Sequence, residues 1–345
     1  MCIGYSTTKL QSVITIKDIA KVAGVSHTTV SRALRADSRI TPDTTERVLR
    51  LADEMGYVPN SIAQSLNAKR TYTIGMLVTS VADPVVMDFM EGAEGIAQER
   101  GYCIFLSTSR NDPAREFNVV DTFQRRRVDG VILVAPRTGD KCRLALERIQ
   151  VPMVLLDSEE VNDTHPAVNV DNVGGASLAV AHLLQWGHRR IGYIGATDRR
   201  LTNVKRLSGY TKTLEQAGIQ LDPTWIINPE ADDDLQRGRL GLGQCLAAGV
   251  TAIFCYNDQI AISVLNSCYH KGISVPQQLS IVGFDDIRLA SYVNPPLTTV
   301  RQPLQEMGRT AMKMVLGLID KAQVKNEMLD CELVERASVA PPCTV

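Results

Sequence analysis

Residues 15–35 read TIKDIAKVAGVSHTTVSRALR, and this stretch decides the fold of the amino-terminal part of the chain. Apolar residues recur in it at helical spacing, first over 16–23 and again from residue 27 onwards. Gly24 lies between the two patterns, where glycine supplies the left-handed backbone conformation that commonly ends a helix. The spacing therefore predicts two short helices joined by a tight turn, which is typical of a helix-turn-helix.

The second predicted helix presents a polar face. Its inward positions are Val30, Ala33 and Leu34, so the outward set is His27, Thr28, Ser31, Arg32 and Arg35. An α-helix fits the major groove of DNA, where arginine bonds to guanine and Thr or His bond to bases or phosphates. A plain helical hairpin with a solvated face fits the same pattern, so the pattern alone leaves both possibilities open.

A third helix is predicted after Thr41-Pro42, a capping residue followed by proline at the first helical position. Its apolar stripe consists of Val48, Leu51, Ala52 and Met55. Three short amphipathic helices predict one small bundle. The next segment places Ile62 and Leu66 on one face, and a helix this short is marginal in water. It is therefore either a segment that folds on binding or a plain linker.

Composition and charge narrow the function classes. The 345 residues are 44% hydrophobic and 22% charged with a net charge of -1, which excludes a wholly disordered chain and a uniformly basic coat. Residues 1–70 nevertheless contain ten Lys/Arg and six Asp/Glu, a net of +4, against -5 for the remainder. A basic head on an acidic body indicates an anionic partner for the head.

No sequence motif predicts a catalytic group, a metal or a cofactor. The eight cysteines form no Cys-x-x-Cys pair, and the five histidines are scattered. The first residues lack the pattern of a signal peptide, and no apolar run is long enough to span a membrane. We therefore expect a cytoplasmic protein.

From residue 73 onwards, predicted strands alternate with helices, which indicates βαβ units and parallel sheets. The first strand is TIGMLV at 73–78, and a similar series restarts with a helix at 172–186. Two halves of this kind predict two doubly wound α/β subdomains that face a cleft. Ligands in such folds bind beyond the carboxyl ends of the strands.

Polar residues that end predicted strands are the candidate ligand contacts. They are Asp157, Asn257, Asp258, Asp285 and Asp286. For Asp258 and Asp286, capping of the next helix or a structural role within the lobe explains the position as well as ligand contact does. Arg206 lies inside a predicted helix beside Lys205, so the pattern alone predicts a solvated charge there.

The segments 15–35 and GYVPNSIAQSLNAKRTYTIGMLV (56–78) resemble the lactose-repressor (LacI/GalR) family of bacterial transcription regulators. The rest of the chain also resembles this family as far as its last residues, but with fewer matching positions. The resemblance implies an all-α helix-turn-helix head followed by two parallel-sheet subdomains of periplasmic-binding-protein type. It implies a homodimer that binds a pseudo-palindromic double-stranded DNA operator under control of a small effector.

The resemblance also implies domain boundaries. Residues 1–14 would be an extension, 15–59 the DNA-binding domain, 60–71 the hinge helix or linker, and 72–345 the effector-binding and dimerisation domain. Within the last, one lobe would hold about 72–169 and 302–331, and the other about 170–301 and 332–345.

The resemblance assigns roles to individual residues of the head. His27, Thr28 and Arg32 would contact bases, and the phosphate contacts would be Thr15, Ser26, Thr29, Ser31 and Asn60. A hinge helix at 60–68 would enter the minor groove, with Ala63 among its contacts. Leu66 would insert between base steps, as apolar side chains do when they kink DNA.

The resemblance further implies an effector site for a sugar or sugar derivative, formed by Asp157, Asn169, Arg206, Asn257, Asp285 and Gln302. Many relatives carry stacking aromatic residues after the first strand, whereas this chain has Val85-Val86, and EADDDL (230–235) is acidic. A common hexose or a purine base is therefore disfavoured. A small polyol, pentose, sugar acid or phosphorylated sugar stays open, although the acidic cluster argues against anions.

Two other function classes compete with a DNA-binding repressor. A dinucleotide-dependent enzyme would need a Gly-x-Gly-x-x-Gly turn after the first strand, and the chain has TSVADP there. A solute-binding receptor of a transporter suits the body of the chain but not its basic head. Binding to DNA distinguishes the repressor from both alternatives.

Overall fold

Three short helices form the amino-terminal unit, as the spacing predicts: Ile16–Ala23 (α1), His27–Ala33 (α2) and Pro42–Glu54 (α3). The structure is a computed structural model that describes residues 14–57, 70–136, 150–158, 165–197 and 200–343. Gly24 ends α1 with a φ of 66°. Ser26 caps α2, since its Oγ accepts a 3.0 Å hydrogen bond from the Thr29 amide. Apolar side chains from all three helices, among them Ile19, Val30 and Val48, form the core of this unit.

The chain divides after Thr71 into this unit and a larger α/β unit. The first sheet of the α/β unit has the order β11-β5-β4-β3-β1-β2. Its strands are Thr73–Val78 (β1), Cys103–Thr108 (β2), Gly130–Val134 (β3), Met153–Leu156 (β4), Ala167–Val170 (β5) and Glu327–Leu329 (β11). All of its pairings are parallel. Helices Pro84–Glu99 (α4), Pro113–Arg125 (α5) and Leu304–Ile319 (α10) pack against it.

The second sheet has the order β12-β10-β9-β8-β6-β7. Its strands are Ile191–Ile194 (β6), Ile226–Ile227 (β7), Ala252–Cys255 (β8), Ser280–Asp285 (β9), Thr298–Arg301 (β10) and Glu332–Val334 (β12). Only the pairing of β10 with β12 is antiparallel among the described strands. The accompanying helices are Asn172–Gln185 (α6), Arg200–Gln216 (α7), Asp234–Ala247 (α8) and Asp258–Lys271 (α9). Two short 3₁₀ turns lie at Pro223–Trp225 and Arg288–Ser291.

Each sheet together with the helices packed against it forms one layer of the α/β unit. The chain passes between these two layers in three short segments. Asp171 joins β5 of the first sheet to α6, which packs in the core of the second sheet. Gln302 and Pro303 join β10 to α10, which packs in the core of the first sheet. The third segment lies between β11 and β12. Residues at these points are therefore held by both layers.

The predicted fold class is confirmed: a helical head precedes two parallel-sheet α/β layers. The sequence pattern did not identify β5, β7, β10, β11 or β12, which have only two to four residues each, nor the helix α10. The predicted hinge helix, with Asn60, Ala63 and Leu66, lies outside the described residues. Among the described helices, none has the length and apolarity needed to cross a membrane.

Candidate functional site

A cavity of about 360 Å³ lies where strands of both sheets reach their carboxyl ends. Five of the six candidate effector residues line it: Asp157, Arg206, Asn257, Asp285 and Gln302. Asn169, the sixth, lies in β5 and does not line this cavity. The position is the one that doubly wound sheets offer to ligands, because polar groups follow each buried strand at the same edge.

Arg206 forms the floor of this cavity. Its side chain is 4% exposed. Its Nε donates a 2.9 Å hydrogen bond to Oδ1 of Asn172 at the start of α6, and Nη1 donates to the carbonyl oxygen of Tyr256 after β8. The guanidinium also lies 3.6 Å from the ring centroid of Phe284 in β9. The pattern-based prediction of a solvated charge is therefore wrong, because helix periodicity does not reveal that this face of α7 meets two strand ends.

Asp285 is the acidic partner of Arg206. Its Oδ1 lies 3.5 Å from Nη2 of Arg206 and accepts a 2.6 Å hydrogen bond from Nε2 of Gln302. Burial raises the pKa of Asp285 to about 7, because it outweighs the opposing effects of Arg206 and Gln302 and is reinforced by the carboxylates of Asp83 and Asp157.

Two of these aspartates have unusual backbone conformations. Asp285 has a φ of 115° and Asp157 has a φ of 51°, values that residues with a side chain rarely adopt. Asp285 is the last residue of β9 and Asp157 directly follows β4, and the backbone bend there places each carboxylate on the cavity wall. Such strained positions cluster at functional sites.

Asn257 holds the second-sheet side of the cavity together. Its Oδ1 caps α9 by accepting a 2.9 Å hydrogen bond from the Ile260 amide, and its Nδ2 donates to Asp234 at 2.6 Å. Asp234 in turn pairs with Arg237 at 2.6 Å. An amide nitrogen carries two hydrogens, so Asn257 keeps one donor for a ligand.

Asp258 and Asp286 do not line the cavity. Asp258 is fully buried; its Oδ2 accepts from the Ile287 amide at 2.9 Å and its Oδ1 accepts from Oγ1 of Thr299 at 2.5 Å. Asp286 pairs with Arg301 at 2.6 Å and with Arg336 at 2.5 Å. For these two residues the geometry favours the structural alternative over ligand contact.

The sequence reasoning missed several cavity residues, among them Asp83, Asn111, Phe89, Tyr256 and Arg237. Asp83 and Asn111 lie shortly after β1 and β2. Both are polar residues that follow a predicted strand, as Asp157 does, and this is the signal by which they could have been found. Among the described residues, the cavity wall has two aromatic side chains, Phe89 and Tyr256, beside six aspartates and two arginines. The expected acidic lining is therefore present, with little stacking surface.

The helical head presents its own candidate interface. His27 and Thr28 are exposed at the start of α2, and Arg32 is half-buried one turn later. Several of the proposed phosphate-binding side chains already hydrogen-bond within the head: Thr15 with Asp18, Ser26 with Thr29, and Ser31 with Arg35. These bonds fix the positions of the hydroxyls. Within the described ranges no group of three or more His, Cys, Asp or Glu residues could hold a metal ion.

Two family models match the chain. Residues 15–60 match the model of bacterial regulatory proteins of the lacI family, and residues 180–339 match a periplasmic-binding-protein-like domain. The HTH-type transcriptional repressor CytR of Escherichia coli (strain K12) is 32% identical over 334 residues, which cover 96% of this chain and 97% of CytR. The ribose operon repressor of Haemophilus influenzae is 34% identical over 307 residues, covering 88% of this chain and 92% of that protein.

A solved structure matches the chain over nearly its whole length. It is the crystal structure of the lac repressor dimer bound to operator and the anti-inducer ONPF. The TM-score is 0.84 at 29% sequence identity, and the match covers 95% of this chain and 99% of that chain. That protein is similar in both the helical head and the α/β body.

Proposed function

The chain belongs to the LacI family of bacterial regulatory proteins and is a ligand-regulated, DNA-binding transcriptional regulator, and from this premise we propose that its effector is a small polyhydroxylated compound bound in the cavity between the two sheets. The observation that carries the proposal is the buried Arg206–Asp285–Gln302 cluster at the carboxyl ends of the strands. Asp157 and Asn257 complete the proposed contact set.

The chemistry of this cluster suits paired hydroxyl groups. A carboxylate accepts hydrogen bonds from hydroxyls, whereas the planar guanidinium and the amides donate to them, and bonds that involve a charged group are the stronger ones. Buried polar groups also penalise any compound that leaves them unpaired. The site is therefore built to select a ligand with hydroxyls in a fixed arrangement.

The size and charge of the cavity narrow the ligand class. About 360 Å³ is near the lower end of the ~300–1,000 Å³ range of small-molecule sites. Six aspartates against two arginines disfavour a phosphorylated or acidic sugar, and two aromatic rings offer little stacking surface. A pentose or small polyol fits these constraints best. Since one relative is a ribose operon repressor, ribose is the first compound to test.

Gln302 offers a route from ligand to DNA. It lies in the crossing segment between β10 and α10, so a ligand that bonds to Asp285 and Gln302 contacts both layers at the point where they are joined. Regulation requires only that the ligand binds one arrangement of the lobes more tightly than the other. We propose that the preferred arrangement determines how two copies of the chain present their heads to an operator.

For the head, we propose that His27, Thr28 and Arg32 contact bases and that Thr15, Ser26, Thr29 and Ser31 contact phosphates. The exposed start of α2 supports this, because residues there meet base edges when a recognition helix enters the major groove. We propose a homodimer on a pseudo-palindromic operator, acting in the cytoplasm and without catalytic activity. The relatives named above are transcriptional repressors rather than enzymes.

The test uses the full chain. An operator is first selected from a pool of random duplexes, and pentoses, hexoses, polyols and nucleosides are then screened by thermal shift and by their effect on operator binding. The active compound should lose its effect in Asp157→Asn and Gln302→Leu but keep it in the matched control Asn169→Ser, which lies outside the cavity. A compound that acts equally on all three variants would place the effector site elsewhere.

A further inference from the structure

We infer that the α/β domain itself contacts DNA, through a basic edge of the first sheet that binds phosphates beside the operator. The inference rests on the DNA-binding function established above. Its centre is the run Arg125-Arg126-Arg127 at the end of α5, which neither the helix-turn-helix nor the effector site explains. All three arginines are exposed.

The amino ends of the strands and the carboxyl ends of the helices meet at this edge. Three segments contribute, 99–101 at the end of α4, 124–130 at the end of α5 and 319–326 at the end of α10. They carry six basic residues against three acidic ones, Glu99, Asp129 and Asp320. The basic residues are Arg100, Arg125, Arg126, Arg127, Lys321 and Lys325. This local excess of three positive charges lies on a domain whose overall charge is negative.

The backbone at two of these positions is unusual. Arg127 follows α5 with a φ of 56°, and Lys321 follows α10 with a φ of 62°. Glycine occupies this left-handed position after other helices, for example Gly101 after α4 and Gly218 after α7. A side chain at such a position carries a conformational cost that glycine avoids. The domain therefore accepts strain at two helix ends and presents a cation at each.

Interactions within the domain involve two of the six cations, Arg125 and Arg127. Arg125 pairs with Asp121 one turn earlier at 2.8 Å. Across the described residues, the side chains of Arg100, Arg126, Lys321 and Lys325 have no hydrogen bond or ion pair. Basic groups near a helix carboxyl end favour the helix dipole, which explains one cation per helix but not three in succession. The remaining charge is available to an external anion.

The attachment of the chain points to DNA as that anion. The polypeptide that comes from the helical head enters the α/β domain at this edge. The Tyr72 amide donates a 2.8 Å hydrogen bond to Asp129, and the Asp129 amide donates to the Thr73 carbonyl at 2.8 Å. Asp129 is two residues from Arg127. The chain that leads to the DNA-binding head is thus attached at the basic edge, whereas the cavity, which six aspartates line, lies at the opposite edge.

The test compares salt dependence of DNA binding for matched variants of the full chain. Arg125→Ala/Arg126→Ala removes two exposed cations from the edge and leaves the strained Arg127 in place. Lys212→Ala/Arg239→Ala removes two exposed cations from α7 and α8 in the second layer and has the same net charge. Binding to sheared mixed-sequence duplex DNA and to the selected operator is measured over a range of salt concentrations.

The edge variant should bind both DNAs about tenfold more weakly at low salt, and the slope of log K against log salt should fall by about two to four units for a dimer. The control variant should keep the wild-type slope, as should Arg125→Lys/Arg126→Lys. Equal losses in the edge and control variants, or an edge variant with an unchanged slope, would overturn the inference. If the edge variant melts early, Arg126→Ala alone is measured, since the Arg126 side chain forms no bond within the described part of the domain.

Failure of this inference and failure of the DNA-binding function would give different results. A wild-type chain that binds no duplex at low salt would overturn that function, and the inference with it. A wild-type chain that binds normally beside an unaffected edge variant would overturn the inference alone.

Discussion

Nε2 of Gln302 donates a 2.6 Å hydrogen bond to Oδ1 of Asp285, and this bond joins a crossing segment to the end of β9 inside the cavity. The same carboxylate lies 3.5 Å from Arg206. The titratable carboxylate of Asp285 therefore connects the cavity, the second sheet and the segment that leads to the first sheet.

Asp285 should make stability depend on pH. Burial raises the pKa of Asp285 to about 7, above its ordinary 3.8, so the folded protein binds a proton there more tightly than the unfolded chain. Stability from this group is present below the unfolded pKa and is lost as the pH rises towards 7, by on the order of a few kcal/mol. Asp285→Asn should lack this loss.

The measurement is thermal or urea unfolding of the wild type and Asp285→Asn between about pH 5 and pH 8. The free energy of unfolding of the variant, relative to that of the wild type, should increase as the pH rises. A constant difference would mean that Asp285 is already ionised throughout. The variant should also lose its response to the effector at every pH.

Asp258 should prove structural rather than ligand-binding. Asp258→Ala leaves the Ile287 amide and the Thr299 hydroxyl without their partner, and such a loss costs about 1–3 kcal/mol per unsatisfied buried group. Urea unfolding should show this loss, whereas effector affinity per folded molecule should be unchanged. Thr299→Val, which removes one of the two bonds, should cost less. A selective loss of affinity in a stable Asp258→Ala protein would contradict this role.

His188 should anchor the carboxyl-terminal segment. Its Nδ1 lies 2.9 Å from Oγ1 of Thr251 and its Nε2 lies 2.9 Å from the Ala340 carbonyl oxygen. Burial lowers the pKa of His188, so the unfolded chain binds the proton more tightly. The contribution to stability is therefore present above the unfolded pKa of 6.5 and is lost as the pH falls below it.

His188→Ala should lower the free energy of unfolding by about 2 kcal/mol near neutral pH. Its destabilisation relative to the wild type should shrink on acidification. Calorimetry at two pH values tests both statements, and His270→Ala serves as a control because His270 is exposed. A destabilisation that grows on acidification would contradict the sign of the shift.

Substitution by alanine should have opposite effects on stability at two glycines of α8. A Cβ at Gly238 would lie 2.5 Å from Cβ of Ser263 and 2.6 Å from the Ile260 carbonyl oxygen on α9, whereas a Cβ at Gly243 meets nothing within 4 Å. Gly238→Ala should destabilise by about 1–3 kcal/mol through overpacking. Gly243→Ala should stabilise by about 0.5–1 kcal/mol through helix propensity. Unfolding midpoints check both, and equal effects would show that the two helices move apart freely.

Arg32 should contribute to base recognition. Arg32→Ala should weaken operator binding by about 1–3 kcal/mol and relax the preference at one base pair in each half-site. Competition against operators substituted one position at a time measures this. The control is Arg50→Ala on α3, whose side chain is 68% exposed and lies 3.9 Å from Glu54. An unchanged sequence preference would remove Arg32 from the base-contacting set.

The sequence by itself determined those helices and strands whose formation depends on residues close together in the chain. The helices of the head follow from apolar spacing together with Thr15, Gly24 and Ser26 at their ends, and β1 follows from TIGMLV, because caps and periodicity act within a few residues. Strand ends also located Asp157, Asn257 and Asp285. These signals are local, so the chain alone displays them.

Only the tertiary structure decided which of these residues meet. Arg206 has the local pattern of a solvated charge, yet it is buried because α7 packs where β8 and β9 end. Asp258 lies shortly after β8 and Asp285 ends β9, but of the two only Asp285 lines the cavity. The gathering of arginines and lysines at one edge likewise combines three segments far apart in sequence. Contacts of this kind depend on packing between distant elements, for which no local pattern exists.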